Sequence, residues 1–317
     1  MLRGRVGCLR VARDMALGTA LIGGCGSDAG APVGEGTTAG TTGGVTTGSE
    51  TGGAVDACAG VREPGPSPLR RLTHTQYANT VRDLFPGVAM PALTIAVDPA
   101  VHGFENNGEA QVPSALLVEQ YQRAALAVTQ AAMATPSWVP CDGGEDPIAC
   151  GREFVRAFGG RAFRRPLTEE EAAAFLGFFD QQFAEAGFSV ALPLTLQAML
   201  QAPQFLYFLE FGGEPVEGAP GVVALTGYEL AARLSYFLWD TTPDATLLAA
   251  AGAGELDTAQ GVAQAAGRML ADPRARGAMV NFHRQWLGFD AIDRIDPDLA
   301  TYPTYEPGLK ASLRGEL

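Results

Sequence analysis

Three stretches of this chain open with one pattern, Leu-Thr-x-x-Glu/Gln. They are Leu72-Thr73-His74-Thr75-Gln76, Leu167-Thr168-Glu169-Glu170-Glu171 and Leu225-Thr226-Gly227-Tyr228-Glu229. Each is a capping box. The Thr hydroxyl accepts from the backbone N–H three residues on, and the Glu or Gln reaches back to the Thr N–H. The preceding Leu can staple against the fourth helical residue. Leu72 with Tyr77 and Leu225 with Leu230 are good pairs, and Leu167 with Ala172 is a weak one. Three helix starts are therefore specified locally.

The apolar spacing between and beyond the boxes is helical almost throughout. Thr73 to Phe85 places Tyr77, Val81, Leu84 and Phe85 on one face, and Pro86-Gly87 ends it. Met90 to Asn107 is irregular. Pro113-Ser114 introduces a helix to about Met133, with Leu117, Tyr121, Ala124, Ala125 and Val128 inward. A short helix spans Gly151 to Phe163, and another runs from the second box to about Ala186. The stretch from about Val190 to Glu210 is apolar on most sides, which marks a central helix, kinked at Pro203. The third box opens Gly227 to Trp239, with Leu230, Leu234, Phe237 and Leu238 buried. Asp257-x-x-Gln260 caps a helix to about Leu270. Asp272-Pro273 starts one carrying Met279, Phe282, Trp286 and Leu287 as a stripe, with Phe282 and Trp286 read as core. Gly221 to Leu225 is the one β-like run. The expected fold class is all-α, a multi-helix bundle.

The N-terminus has a different character. Arg3, Arg5, Arg10 and Arg13 form a basic region before the short apolar run Met15 to Gly24, too short to span a bilayer. Leu21-Ile22-Gly23-Gly24-Cys25 resembles a lipobox, in which Cys25 is acylated and becomes the first mature residue. An ordinary signal peptide with an incidental Cys is the alternative. Gly26 to Asp56 is nearly all Gly, Thr, Ala and Ser, a composition that cannot repay ordering entropy and reads as a flexible tether. The expected organisation is signal peptide 1–24, tether 25–67, and helical domains at 68–140, 141–212 and 222–317, the last truncated at its C-terminus. The chain is expected to be exported to the cell envelope as an outer-membrane lipoprotein facing the periplasm or the cell surface, held to the membrane by its lipid.

The formal charge is −13, and loss of residues 1–24 takes it to about −16. Such a surface repels nucleic acid and anionic headgroups, so no nucleic-acid partner is expected. Of the five Cys, Cys8 leaves with the signal. Cys141 and Cys150 lie nine apart in a Pro/Gly/Asp loop. In an oxidising compartment that spacing reads as a local disulfide. A pair of metal thiolates is the alternative, but no further Cys pair or His lies nearby. Cys58 is left without a partner in the chain.

Arg70-Arg71-Leu72-Thr73-His74-Thr75-Gln76-Tyr77-Ala78-Asn79-Thr80-Val81-Arg82-Asp83-Leu84 and Gly103-Phe104-Glu105-Asn106-Asn107 together resemble one domain of a bacterial family. Phe158 to Thr168, followed by Gln204-Phe205-Leu206-Tyr207, resembles a second. Leu225 to Trp239, continuing to Phe282-His283-Arg284-Gln285-Trp286-Leu287, resembles a third. In this order they are similar to the consecutive domains of unknown function in planctomycete and myxobacterial cytochrome-like exported proteins, over roughly residues 68–317. The resemblance implies an exported, multi-domain helical protein of unassigned activity. It also implies that c-type haem belongs to sequence beyond this segment or to an envelope or redox protein partner. The chain itself has no Cys-x-x-Cys-His, so no cofactor is expected within it.

Candidate chemistry is sparse. Of His74, His102 and His283, only His102 lies in a polar Gly-containing loop, His102-Gly103-Phe104-Glu105-Asn106-Asn107. His102 and Glu105 could act as a general acid/base pair or as two metal ligands, but further ligands are lacking. Loop-anchoring bonds from Asn106 and Asn107 are the simpler use. Arg161, Arg164 and Arg165 beside Gly159-Gly160 could hold a carboxylate or phosphate, though pairing with the chain's own acids is the simpler reading. Asp290, Asp293, Asp296 and Asp298 lack a dedicated Ca²⁺ loop signature, and no metal is expected. Two functions follow as expectations: a lipid-anchored scaffold or binding module of a larger, redox-associated protein, or a secreted hydrolase on an extracellular polymer using the His102/Glu105 loop.

Overall fold

A helix that is apolar on most sides has to lie inside, and the one at Phe188–Gln201 does. The computed structural model describes residues 66–139, 141, 146–306 and 308–315. The expected signal peptide and all but the last two residues of the expected tether, with Cys8, Cys25 and Cys58, lie outside these residues. Strand β1 (Arg70–Arg71) precedes α1 (His74–Leu84), α2 (Ala115–Met133), α3 (Pro147–Ala162), α4 (Glu169–Ala186) and α5 (Phe188–Gln201). Helix α5 packs against α2, α3 and α4. Its Leu192, Leu196, Met199 and Leu200 are fully buried, each contributing roughly 1.5–3 kcal/mol by leaving water. Gly151 of α3 lets Phe179 of α4 come close, since a Cβ there would sit 2.4 Å from Cζ of that ring.

All three capping boxes are formed, at Thr73 with Gln76, Thr168 with Glu171 and Thr226 with Glu229. Ser114 caps α2 through the Leu117 N–H. Helix α3 starts four residues earlier than the spacing suggested. Asp146 accepts from the Ile148 and Ala149 N–H groups, and Pro147 takes the first turn, where its missing N–H is harmless. Cys141 and Cys150 form a disulfide.

The expected helix from Val190 to Glu210 does not run through. Pro203 stops it rather than kinking it. Ala202, the residue before proline, is extended at φ −66° and ψ 143°, as ring sterics require. A single turn follows, α6 (Pro203–Leu206), and then β2 (Tyr207–Phe208) pairs antiparallel with β1, Arg70 opposite Phe208. The side chains from Leu72 to Phe208, joined by Tyr236, share one core.

The remaining segment builds a second core around Trp239, Leu247, Leu256 and Met269. It comprises α7 (Gly227–Leu238), α8 (Ala245–Gly252), a 3₁₀ turn at Glu255–Asp257, α9 (Ala259–Leu270), α10 (Arg274–Trp286), α11 (Ala291–Arg294) and α12 (Gly308–Gly315). Here three expectations need correction. Thr258, not Asp257, caps α9, because Asp257 is taken up in the 3₁₀ turn. Phe237 is 79% exposed, because α7 turns its Ala231, Ala232, Ser235 and Tyr236 inward instead. The α10 stripe is not core: Met279, Phe282, Trp286 and Leu287 are all exposed. What α10 buries are the small residues Ala275 and Ala278.

Candidate functional site

The His102 loop is a tight hairpin. Val101 and Phe104 exchange backbone hydrogen bonds at 2.9 and 3.1 Å, and His102 and Gly103 turn between them at φ 52° and 88°. Positive φ at both central residues is the geometry of a type I′ hairpin turn. His102 is exposed at the tip, and no hydrogen bond joins it to Glu105. Glu105 is held by its backbone. Its N–H donates to Gln285 Oε1 of α10 at 3.0 Å, and its C=O accepts from Gln111 Nε2 at 3.2 Å. Partial burial pushes its carboxyl above the ordinary value. Arg284 opposes that shift, while Asp98, Asp290 and Asp240 add to it. Asn107 anchors the loop by accepting from the Glu109 N–H at 2.9 Å.

Beside this loop, Asp240 joins the segments. It sits at φ 53°, just past α7. Its Oδ2 accepts from Asn281 Nδ2 of α10 at 2.8 Å, its Oδ1 from Gln76 Nε2 of α1 at 3.4 Å, and its C=O from Asn79 Nδ2 at 3.2 Å. Burial raises this carboxyl, the amide donors and Arg284 pulling the other way. Next to it Thr241 Oγ1 donates to Asp83 Oδ2 at 2.8 Å, and Thr80 shares a 2.8 Å hydrogen bond with Tyr236.

The most buried polar cluster was not legible in the spacing. Arg71 Nη2 meets Asp98 Oδ1 at 2.5 Å, both side chains buried, and Arg71 Nη1 donates to the Tyr121 hydroxyl. Asp98 Oδ2 also accepts from the His74 backbone N–H at 2.6 Å and lies 3.3 Å from its Nδ1. One carboxylate thus ties the irregular 86–111 stretch to the start of α1. Burial lowers the His74 pKa, Asp98 opposing the shift and Arg71 adding to it. Burial pushes Tyr121 up to about 12 and Tyr77 higher still. Arg71 Nε, His74 Nε2 and the Tyr77 hydroxyl are buried without a protein partner. A signal did exist: Arg71, His74 and Tyr77 follow one another at helical spacing, but nothing in the sequence points to Asp98 as their acceptor.

The arginines divide. Arg165 pairs with Glu171 through both terminal nitrogens at 2.8 Å. Arg164, expected to pair with an acid, does not. It lies buried at φ 63° and donates to the carbonyls of Gln204, Phe205 and Tyr207. The break at Pro203 leaves these carbonyls open, which is why a cation suits the place. Arg161 donates to the Asp83 C=O at 2.6 Å.

Asp290 faces Arg284 at 3.4 Å, Asp296 faces Lys310 at 3.2 Å, and Asp298 closes its own turn onto Ala300 and Thr301. The side chain of Asp293 lies outside what is described. Among the described residues no group of three or more His, Cys, Asp or Glu is placed to hold a metal ion. No helix among them is long and apolar enough to cross a membrane.

Comparison with family models assigns the segments. Residues 70–134 match PSD3, protein of unknown function (DUF1587). Residues 150–210 match PSD5, protein of unknown function (DUF1595). Residues 225–317 match PSD4, protein of unknown function (DUF1592). Comparison with curated proteins and with solved structures gives no match.

Proposed function

We propose, starting from a chain that carries three consecutive PSD-type domains of unknown function, that it is an exported, lipid-anchored helical scaffold and binding module. The observation that carries this reading is the Asp240 junction. Polar groups of all three matched segments are used on one another: Gln76, Asn79 and Asp83 from the first, Arg161 from the second, and Asp240, Thr241 and Asn281 from the third. Hydrogen bonds of this kind position helices relative to one another. The exposed stripe of Met279, Phe282, Trp286 and Leu287 on α10 supports the binding half, because contiguous apolar surface of this kind suits a partner. In this reading Cys25 carries the lipid, residues 26–56 hold the body off the membrane, and an envelope or redox protein is the partner. Any c-type haem belongs to that partner or to further sequence.

Fractionation of cells expressing the full chain and a Cys25→Ala variant tests the anchor. The wild type is expected in the membrane fraction, and the variant is expected to be soluble in the periplasm or medium. Equal membrane retention of the two would sink the lipid anchor. Haem spectra of the complete gene product test the redox association, and absence of haem absorbance removes that part.

A second reading, a secreted hydrolase, rests on the raised Glu105 carboxyl, a property suited to a general acid. It requires an activity on extracellular polymers that His102→Ala and Glu105→Gln both abolish. Unchanged activity in both variants dismisses it.

A further inference from the structure

A shallow cleft lies where the end of α3 and the Arg165-Pro166 corner face α7 and α8. Arg161, Arg165, Pro166, Tyr228, Leu248 and Ala249 line it. Its two cations are in different states. Arg165 is neutralised by the two-pronged contact to Glu171. Arg161 has no carboxylate in direct contact. Among the described residues its one side-chain hydrogen bond is to a neutral acceptor, the Asp83 carbonyl, while the Asp83 carboxylate takes the Thr241 hydroxyl and acts on Arg161 through space. Among the described residues the remaining guanidinium N–H groups of Arg161 have no acceptor, and the Tyr228 hydroxyl has no hydrogen-bond partner. Burial lowers the Arg161 pKa below the ordinary arginine value, and the nearby Asp83 carboxylate opposes that shift.

We propose that this cleft binds the carboxylate of a small organic acid with an uncharged, apolar body. The free N–H groups of Arg161 and the Tyr228 hydroxyl take the carboxylate oxygens. Pro166, Leu248 and Ala249 cover the body. A guanidinium matches a planar carboxylate in geometry and in charge. A phosphate dianion fits less well, because one cation is already neutralised and Glu171 stands behind it. The site goes beyond the scaffold reading and does not depend on it.

The test is calorimetric titration of the full chain with benzoate, with its neutral counterpart benzamide, and with inorganic phosphate. Benzoate is expected to bind with a dissociation constant on the order of 1 mM, the range for so small a ligand in an open cleft. Benzamide and phosphate are expected to bind at least about tenfold more weakly, the loss of one charge-assisted contact. Arg161→Gln should weaken benzoate by about tenfold or more for the same reason. Should Arg161→Gln fail to fold, Ala249→Glu serves instead. It places a carboxylate at the mouth from an exposed helical position and should abolish benzoate binding with an unchanged melting temperature. Absence of benzoate binding, equal binding of benzamide, a preference for phosphate, or benzoate binding retained by Ala249→Glu would each overturn the proposal.

Discussion

Arg71 and Asp98 meet at 2.5 Å although 27 residues separate them, with side chains only 2% and 1% exposed. The same carboxylate accepts the first backbone N–H of α1. Removing one partner strands a buried charge. Asp98→Ala is expected to lower unfolding free energy in urea by about 3–5 kcal/mol. Replacing both residues by apolar ones, Arg71→Met with Asp98→Leu, should cost less than the single change. A loss below about 1 kcal/mol for Asp98→Ala would mean that the pair does not hold the loop to the helix.

Asp240 carries a pH signature. Burial raises its folded-state pKa, so folding favours the protonated form. Its contribution to stability is fully present below the unfolded aspartate value and is lost as pH climbs through the folded one. Asn tolerates the left-handed backbone at this position, so Asp240→Asn removes the titration without forcing the turn. The stability of the wild type minus that of Asp240→Asn is therefore expected to decline as pH rises above about 4, the unfolded aspartate value. A difference that stays flat or grows would contradict the assigned direction.

Two tryptophans should respond in opposite ways. Trp239 is 2% exposed, donates its indole N–H to the Met269 carbonyl at 2.9 Å and lies under Arg274 at 3.5 Å. Trp239→Ala is expected to cost about 3–5 kcal/mol. Trp286 is 61% exposed, and Trp286→Ser should stay within about 0.5 kcal/mol. Thermal melts of the two variants compare them directly. Similar losses would mean that the α10 stripe is covered.

The Cys141–Cys150 bridge ties the chain ahead of α3 to the first turn of that helix. Cross-linking over so few residues removes loop entropy from the unfolded chain worth roughly 2–3 kcal/mol. Urea midpoints with and without reductant should differ accordingly, and Cys141→Ser should lie at the reduced position under both conditions. Insensitivity of the wild type to reductant would argue against the bridge.

Gly261 tests packing by backbone alone. A Cβ there would sit 1.8 Å from the Glu255 carbonyl oxygen. Gly261→Ala has to push α9 away from the 3₁₀ turn, an overpacking expected to cost about 1–3 kcal/mol by denaturant titration. A neutral result would show that the turn yields freely.

Helix starts were legible because their chemistry is local. Thr73, Thr168 and Thr226 each find their partner three residues away, and Cys141 finds Cys150 nine residues away. The apolar repeat likewise marked α5 as central. The candidate loop at His102 was visible as a polar, Gly-containing turn, but not its tether to Gln285, which is 180 residues from Glu105.

What the sequence by itself determined is a set of helices with defined beginnings, since capping and periodicity act within a few residues. The tertiary structure decided which faces and charges are used. Pro203 could have kinked or ended its helix, and pairing of Tyr207–Phe208 with Arg70–Arg71 accompanies the ending. The apolar stripe of α10 reads as core by composition, yet α10 packs through Ala275 and Ala278 and leaves Phe282 and Trp286 outside. Arg71 has many acids to choose from along the chain, and only the path of residues 86–111 brings Asp98 to it. Periodicity says that a face is apolar. Which neighbour covers it, and which acid meets which base, depends on contacts far apart in the chain.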